Sequence, residues 1–211
     1  MKSWEDIERE ILNCTKCKLS STRTHAVPGE GNRESKIVFV GEAPGAREDE
    51  LGRPFVGAAG NLLTKLIDKY LNLKREQVYI TNLVKCRPPN NRDPEEDEIR
   101  ACSPYLLIQL EMIRPKVVVT LGRHSTAFFL TLAGNEKASI SKVRGRPFKL
   151  KTGFGELLIY PTYHPAAALY NPSLMRELES DFSKLKELLG GSIASKAITL
   201  DNFFDGNESR S

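Results

Sequence analysis

Four cysteines and three polar groups carry most of the chemistry that this chain offers. Cys14 and Cys17 are separated by two residues, while Cys86 and Cys102 lie far along the chain on either side of the polar loop 88–94. In a reducing cytosol disulfides are disfavoured, so four thiolates converging on one metal centre are expected. Zinc and an iron-sulfur cluster both accept such a set, and spacing alone does not choose between them. The plainer alternative is unpaired core cysteines. The remaining chemistry sits directly behind apolar runs. Residues 37–40 end in Gly41-Glu42-Ala43-Pro44-Gly45, followed by Arg47, Glu48 and Asp49; 78–81 end in Asn82; 157–160 lead through 161–163 into His164. Singly, each is an ordinary cap or turn former. Together they would bring a carboxylate, a carboxamide and an imidazole to one edge of the molecule.

The elements that must position these groups are legible in the hydrophobic pattern. Runs 37–40, 78–81, 117–121 and 157–160 are continuously apolar and rich in β-branched residues, as expected of strands buried on both faces. Helical periodicity fills the gaps: 60–71 carries Leu62, Leu63, Leu66, Ile67 and Tyr70, and 94–113 has Pro94 near its start. Ser3 with Asp6 forms a capping pair that opens a first helix to about Leu12, and 173–189 predicts a last helix stopped by Gly190-Gly191. Strands alternating with helices predict an α/β fold, three-layer α/β/α, with a central four-stranded, mainly parallel sheet flanked by helices. In such sheets ligands bind beyond the carboxyl ends of the strands. Glu42, Asn82, Gly122 and His164 all fall there. The expected organisation is one domain over 1–190 and a flexible tail over 191–211.

Bulk composition agrees with a soluble globular protein. Of 211 residues, 40% are hydrophobic and 27% charged, with a formal net charge of +4 and a sequence pI near 8.8. That mild basic excess suits a polyanionic partner without requiring one. No apolar run approaches the roughly 18 residues of a membrane span, and the charged start is unlike a signal peptide. A cytoplasmic monomer with no membrane partner is expected.

The stretches GEAPGARED (41–49), GRPFVGAAGNLL (52–63), YITNLVKCRPPNNRDP (79–94) and HPAAAL (164–169), with the four cysteines, resemble family 4, the iron-sulfur group, of the uracil-DNA glycosylase superfamily. The resemblance spans about residues 10–190 in the family's order. It implies a structural [4Fe-4S] cluster held by Cys14, Cys17, Cys86 and Cys102. It also implies base-excision repair on uracil-containing DNA: extrusion of uracil and hydrolysis of its N-glycosidic bond. In that reaction the flipped base is stacked on an aromatic ring and read along its pairing edge. Phe55 is the stacking candidate. Asn82 donates to uracil O4 and accepts from N3–H, a pattern that cytosine inverts. His164 is the donor to O2, where charge develops as the bond breaks. The best-known uracil glycosylases have Asp where Ala43 stands, so Glu42 becomes the principal water-handling carboxylate, with Glu48 close to base or water. Gly41, Ala43 and Gly45 admit or contact the base. No lysine in the matched motifs is placed as a nucleophile, so a monofunctional enzyme that leaves an abasic site is expected.

Phosphate-binding candidates are the 57–60 turn, Arg87, Arg92 and the basic run Lys142, Arg144, Arg146, Lys149 and Lys151, for which a solvated hairpin is the alternative. Leu169 and Tyr170 are candidate wedges for the vacated stack. In the tail, Leu200, Phe203 and Phe204 resemble a peptide that binds the sliding clamp (PCNA), although Ala197 occupies the place of its usual leading Gln. Two rival functions remain in the sequence: a non-catalytic iron-sulfur DNA-binding module tethered to the clamp, and a glycosylase for another deaminated base such as hypoxanthine. The presence together of Phe55, Asn82 and His164 favours uracil excision.

Overall fold

The computed structural model describes residues 2–134 and 139–190. Six strands form one sheet: β1 (Glu30–Gly31), β2 (Ile37–Gly41), β3 (Tyr79–Asn82), β4 (Val117–Leu121), β5 (Phe148–Thr152) and β6 (Gly155–Thr162), in the order β1-β3-β2-β4-β6-β5. The inner four, β3-β2-β4-β6, are parallel, and the outer two pair antiparallel. The expected four-stranded sheet is therefore the core of a six-stranded one. β1 is only two residues long and has no hydrophobic period to betray it. β5, Phe-Lys-Leu-Lys-Thr, alternates apolar with basic as a half-solvated edge strand does. Of the predicted basic run, Lys149 and Lys151 lie in this hairpin, whereas Lys142 is in the short helix 140–143 and Arg144 caps that helix.

Among the described residues, eight α-helices surround the sheet: α1 (Trp4–Leu12), α2 (Ala46–Leu51), α3 (Ala58–Leu66), α4 (Glu96–Ile113), α5 (Arg123–Leu132), α6 (Ile140–Val143), α7 (Pro165–Tyr170) and α8 (Ser173–Gly190). Ser3 caps α1 in a reciprocal capping box with Asp6, as its sequence demands. The predicted helix 60–71 starts earlier, at Ala58, and passes into a π turn over Ile67–Leu71. The predicted helix 94–113 begins at Glu96, where the Glu95–Glu98 capping box sets its first turn.

Successive strand residues point to opposite faces, so each inner strand feeds two cores. Val38, Val40, Tyr79, Val118 and Ile159 pack with Ile7, Ile11, Leu106, Leu110 and Phe129 from α1, α4 and α5. Ile37, Phe39, Ile80, Val119 and Tyr160 pack with Leu63, Leu66, Leu178, Phe182 and Leu185 from α3 and α8. These faces are the three predicted layers. The connections leave β2 between β3 and β4, so the chain order reverses there, and the loops beyond its carboxyl end open into a crevice.

Candidate active site

A cavity of about 370 Å³ opens at that edge, lined among others by Glu42, Ala43, Gly45, Glu48, Phe55, Asn82 and His164. The register pairs Gly41 directly with Asn82, which brings the ends of the first two predicted strands together. Gly41 itself stands behind the cavity wall. A Cβ there would lie 2.4 Å from Asn82 Oδ1 and 2.5 Å from Phe55 Cζ, so the absence of a side chain lets amide and ring close over it. Asn82 is 1% exposed. Its Oδ1 is buried and has no hydrogen-bond partner.

Phe55 sits at φ 50°, a costly conformation for a non-glycine residue. Arg75 holds it there by donating to the Phe55 carbonyl at 3.0 Å and to the Pro54 carbonyl, while Glu30 anchors Arg75 at 2.8 Å. Gly60 packs against the same carbonyl, where a Cβ would intrude to 1.8 Å. The Phe55 ring stacks on His164 with centroids 5.5 Å apart and planes 27° apart. Ring, amide and imidazole thus meet in one cavity.

His164 caps α7, its Nδ1 accepting from the Ala166 N–H at 3.1 Å. That bond fixes the tautomer: Nδ1 is the acceptor and Nε2 carries the proton. Burial pushes the imidazole down to about 4, with Glu48 opposing, so the ring is neutral at physiological pH. Glu48 is less free than its place in the motif suggested. Its Oε1 accepts from Val56 N–H at 2.9 Å and Gly57 N–H at 2.8 Å, tying α2 to the turn that carries Phe55. Glu42 has no such backbone bonds among the described hydrogen bonds. Burial raises its pKa, opposed by His124 and augmented by Asp93.

Several predicted phosphate contacts are spent inside the protein. Arg144 bonds bidentately to Asp181 at 3.0 and 3.1 Å and pairs with Glu177 at 2.8 Å, and Lys149 pairs with Glu156 at 3.1 Å. Arg92 pairs with Glu98 at 2.6 Å, though it lines the cavity with Pro88 and Asn91. The wedge candidates fare better: Tyr170 lines the cavity rim at 90% exposure, and Leu169 is exposed beside it. Leu200, Phe203 and Phe204 lie outside the described residues.

All four cysteines are free and converge on one hollow, although Cys14 and Cys17 come from the segment after α1, Cys86 from beyond β3 and Cys102 from α4. Arg23 donates to Cys86 Sγ at 3.1 Å, and the Lys85 N–H donates to Cys102 Sγ at 3.1 Å, bonds suited to thiolate sulfur. A single zinc, with Zn–S near 2.3 Å, would draw tetrahedral sulfurs to about 3.8 Å of one another. Among the described residues, the set of three possible ligand atoms lying within 4.8 Å of one another is Glu42, Asp93 and His124, with no cysteine in it. No three of the four sulfurs therefore lie within 4.8 Å of one another.

Sequence reasoning missed Arg75, which carries no motif, and His124, although its place three residues past the end of β4 follows the strand-end rule. It also passed over Lys85, the lysine inside the matched motif. That side chain is fully buried, its Nζ donating to Thr81 Oγ1 at 2.6 Å, the Asn82 carbonyl at 2.9 Å and Gln109 Oε1 at 2.7 Å. It is not among the residues that line the cavity.

The family model described as the Uracil DNA glycosylase superfamily matches residues 28–189. The type-4 uracil-DNA glycosylase of Sulfurisphaera tokodaii is 57% identical over 98% of this chain and 92% of the relative. Those of Saccharolobus solfataricus and Archaeoglobus fulgidus are 56% and 52% identical, over 98% and 90% of this chain and 94% and 95% of the relatives. No described helix is long and apolar enough to cross a membrane. The chain belongs to the uracil-DNA glycosylase superfamily, in its type-4 branch.

Proposed function

We propose that this chain is a monofunctional uracil-DNA glycosylase that hydrolyses the N-glycosidic bond of a uracil extruded from DNA. The observation that carries the reading is the orphaned Asn82 Oδ1. A buried acceptor without a partner costs about 1–3 kcal/mol, and uracil N3–H is a donor of the right kind to satisfy it. The Asn82 amide then donates to O4. Cytosine presents an acceptor at N3 and a donor at N4, leaving both ends of the amide unpaired, and sites of this kind discriminate by about 10⁴–10⁵.

Phe55 stacks on one face of the base, and the strained turn that Arg75, Glu48 and Gly60 hold keeps the ring in place. As the bond between N1 and the sugar breaks, negative charge spreads over the uracil. The neutral His164 donates Nε2–H to O2 and stabilises it. Glu42, facing the cavity, orients the water that attacks the sugar and balances the positive charge there. Glu48 serves the Phe55 turn, leaving Glu42 as the water-handling carboxylate. No lysine lines the cavity, in keeping with hydrolysis that leaves an abasic site without strand cleavage.

A [4Fe-4S] cluster fits Cys14, Cys17, Cys86 and Cys102, and their convergence on one hollow and the two donors to sulfur support it. When bound, it supplies a structural link between the N-terminal segment, the loop after β3 and α4. DNA is the partner; action as a monomer in the cytoplasm and docking on a sliding clamp through Leu200, Phe203 and Phe204 rest on the sequence. The test is incubation of the cluster-loaded protein with oligonucleotides carrying uracil, hypoxanthine or thymine, followed by alkali. Alkali-labile sites from the uracil strand alone are expected; none from uracil would end this reading.

A further inference from the structure

Glu42 enters the site at the end of β2 with no backbone donor to aim its carboxylate among the described bonds, yet an oriented water needs an oriented base. The groups behind it supply a candidate. His124, in the first turn of α5, places Nε2 at 3.6 Å from Glu42 Oε2 and 3.3 Å from Asp93 Oδ1. This nitrogen is buried and has no hydrogen bond of good geometry. Asp93, in the loop before α4, is held in turn by Arg123. One ligand-type atom from each of Glu42, Asp93 and His124 lies within 4.8 Å of the others, so a small side-chain rotation brings the imidazole N–H onto either carboxylate. His124 is absent from the residues that line the cavity.

We infer that His124 is a positioning residue: its Nε2–H bridges Glu42 and Asp93 and holds the Glu42 carboxylate ionised and turned toward the attacking water. This rests on Glu42 as the water-handling group. The titratable and charged groups that face Glu42 are Asp93, His124 and Arg123; Glu48, on α2, faces His164. Burial and Asp93 favour the protonated, inactive form of Glu42, while His124 and Arg123 oppose it. Loss of His124 therefore penalises the active form most where protons are abundant.

The experiment is the pH profile of single-turnover uracil excision for the wild type, His124→Phe, His124→Gln and Glu42→Gln, each checked for folding by thermal melting. The expected wild-type rate falls on the acid side as Glu42 protonates. His124→Phe moves that limb upward by about one pH unit, an effect of about 1.4 kcal/mol on Glu42 ionisation, and approaches the wild-type rate above it. His124→Gln, which keeps a donor, lies between. A loss of rate spread equally over all pH values, or a limb that stays in place in both His124 variants while Glu42→Gln is inactive, overturns the role of His124 and leaves the Glu42 reading standing. A Glu42→Gln variant with the wild-type profile overturns the Glu42 reading itself. Should the Phe variant fail to fold, the Gln variant alone decides: an unshifted limb refutes the bridge.

Discussion

Replacing His164 by Asn separates its two duties. Asn is a good helix N-cap and keeps a partner for the Ala166 N–H that His164 now accepts at 3.1 Å. Its shorter side chain, turned to the cap, presents no donor where the imidazole Nε2–H points. Loss of one preorganised donor to developing charge costs about 10²–10³ in rate, or about 2.7–4 kcal/mol of transition-state stabilisation. Single-turnover excision of uracil at pH 7 should fall by that factor in both His164→Asn and His164→Ala, with thermal stability retained better in the Asn variant. A second readout tests the protonation state. The imidazole's pKa, ordinarily near 6.5, is lowered by burial to about 4 in the folded protein. Between these values the unfolded chain binds a proton that the native state refuses, so this contribution is full above pH 6.5 and is lost as pH falls toward 4. Its size is at most about 3 kcal/mol, reduced by the partial exposure of the ring. Melting curves from pH 7 to 4 should show a shallower acid destabilisation in His164→Asn than in the wild type. Wild-type excision that accelerates as pH drops through 6.5, with that rise lost in the variants, would mean that imidazolium does the work and would refute the neutral-donor mechanism.

Other substitutions probe the walls of the site. Gly41→Ala puts a methyl 2.4 Å from Asn82 Oδ1 and 2.5 Å from Phe55 Cζ, and should destabilise the fold by about 1–3 kcal/mol and abolish excision; unchanged melting and kinetics would show that the wall is looser than it looks. Glu48→Ala removes both bonds to the Phe55 turn. Hydrogen bonds to a charged group are worth about 1.5–3 kcal/mol each, so a clear drop in melting temperature and weaker substrate capture should accompany any loss of rate. Glu48→Ala with native stability and only a lower chemical rate would return Glu48 to the water. Cys86→Ser should remove the visible absorbance of the purified protein and lower its melting temperature, as judged by a spectrum and a melt side by side; retained colour would exclude Cys86 as a ligand.

Much of the fold was legible because each inner strand is buried on both faces and so reads as an unbroken apolar run. The strand-end rule then placed Asn82, Glu42 and His164 without any contact information. What stayed hidden was too short to show a period or was joined only by the fold. Two-residue β1 is too short to show alternation, and α7 and α2 span only six residues each. Arg75 and Glu30 act on Phe55 from 20 and 25 residues away in sequence, a pairing created by the fold alone. Arg144 shows the opposite error. A basic run reads as a phosphate surface until Asp181, fully buried on α8, is seen to claim its guanidinium. Lys85 was in plain view within a matched motif, but only the geometry reveals that its ammonium is consumed by Thr81, Gln109 and the Asn82 carbonyl, bracing the strand end from beneath.

Asn82 offers the most direct measurement. Asn82→Ala deletes a buried oxygen that has no partner in the free protein, so its melting temperature should equal or exceed that of the wild type. Its single-turnover release of free uracil should fall by about 10³-fold or more, since the edge of the base is then unread. Wild-type release of uracil by this variant would contradict the assignment of the cavity to the flipped base.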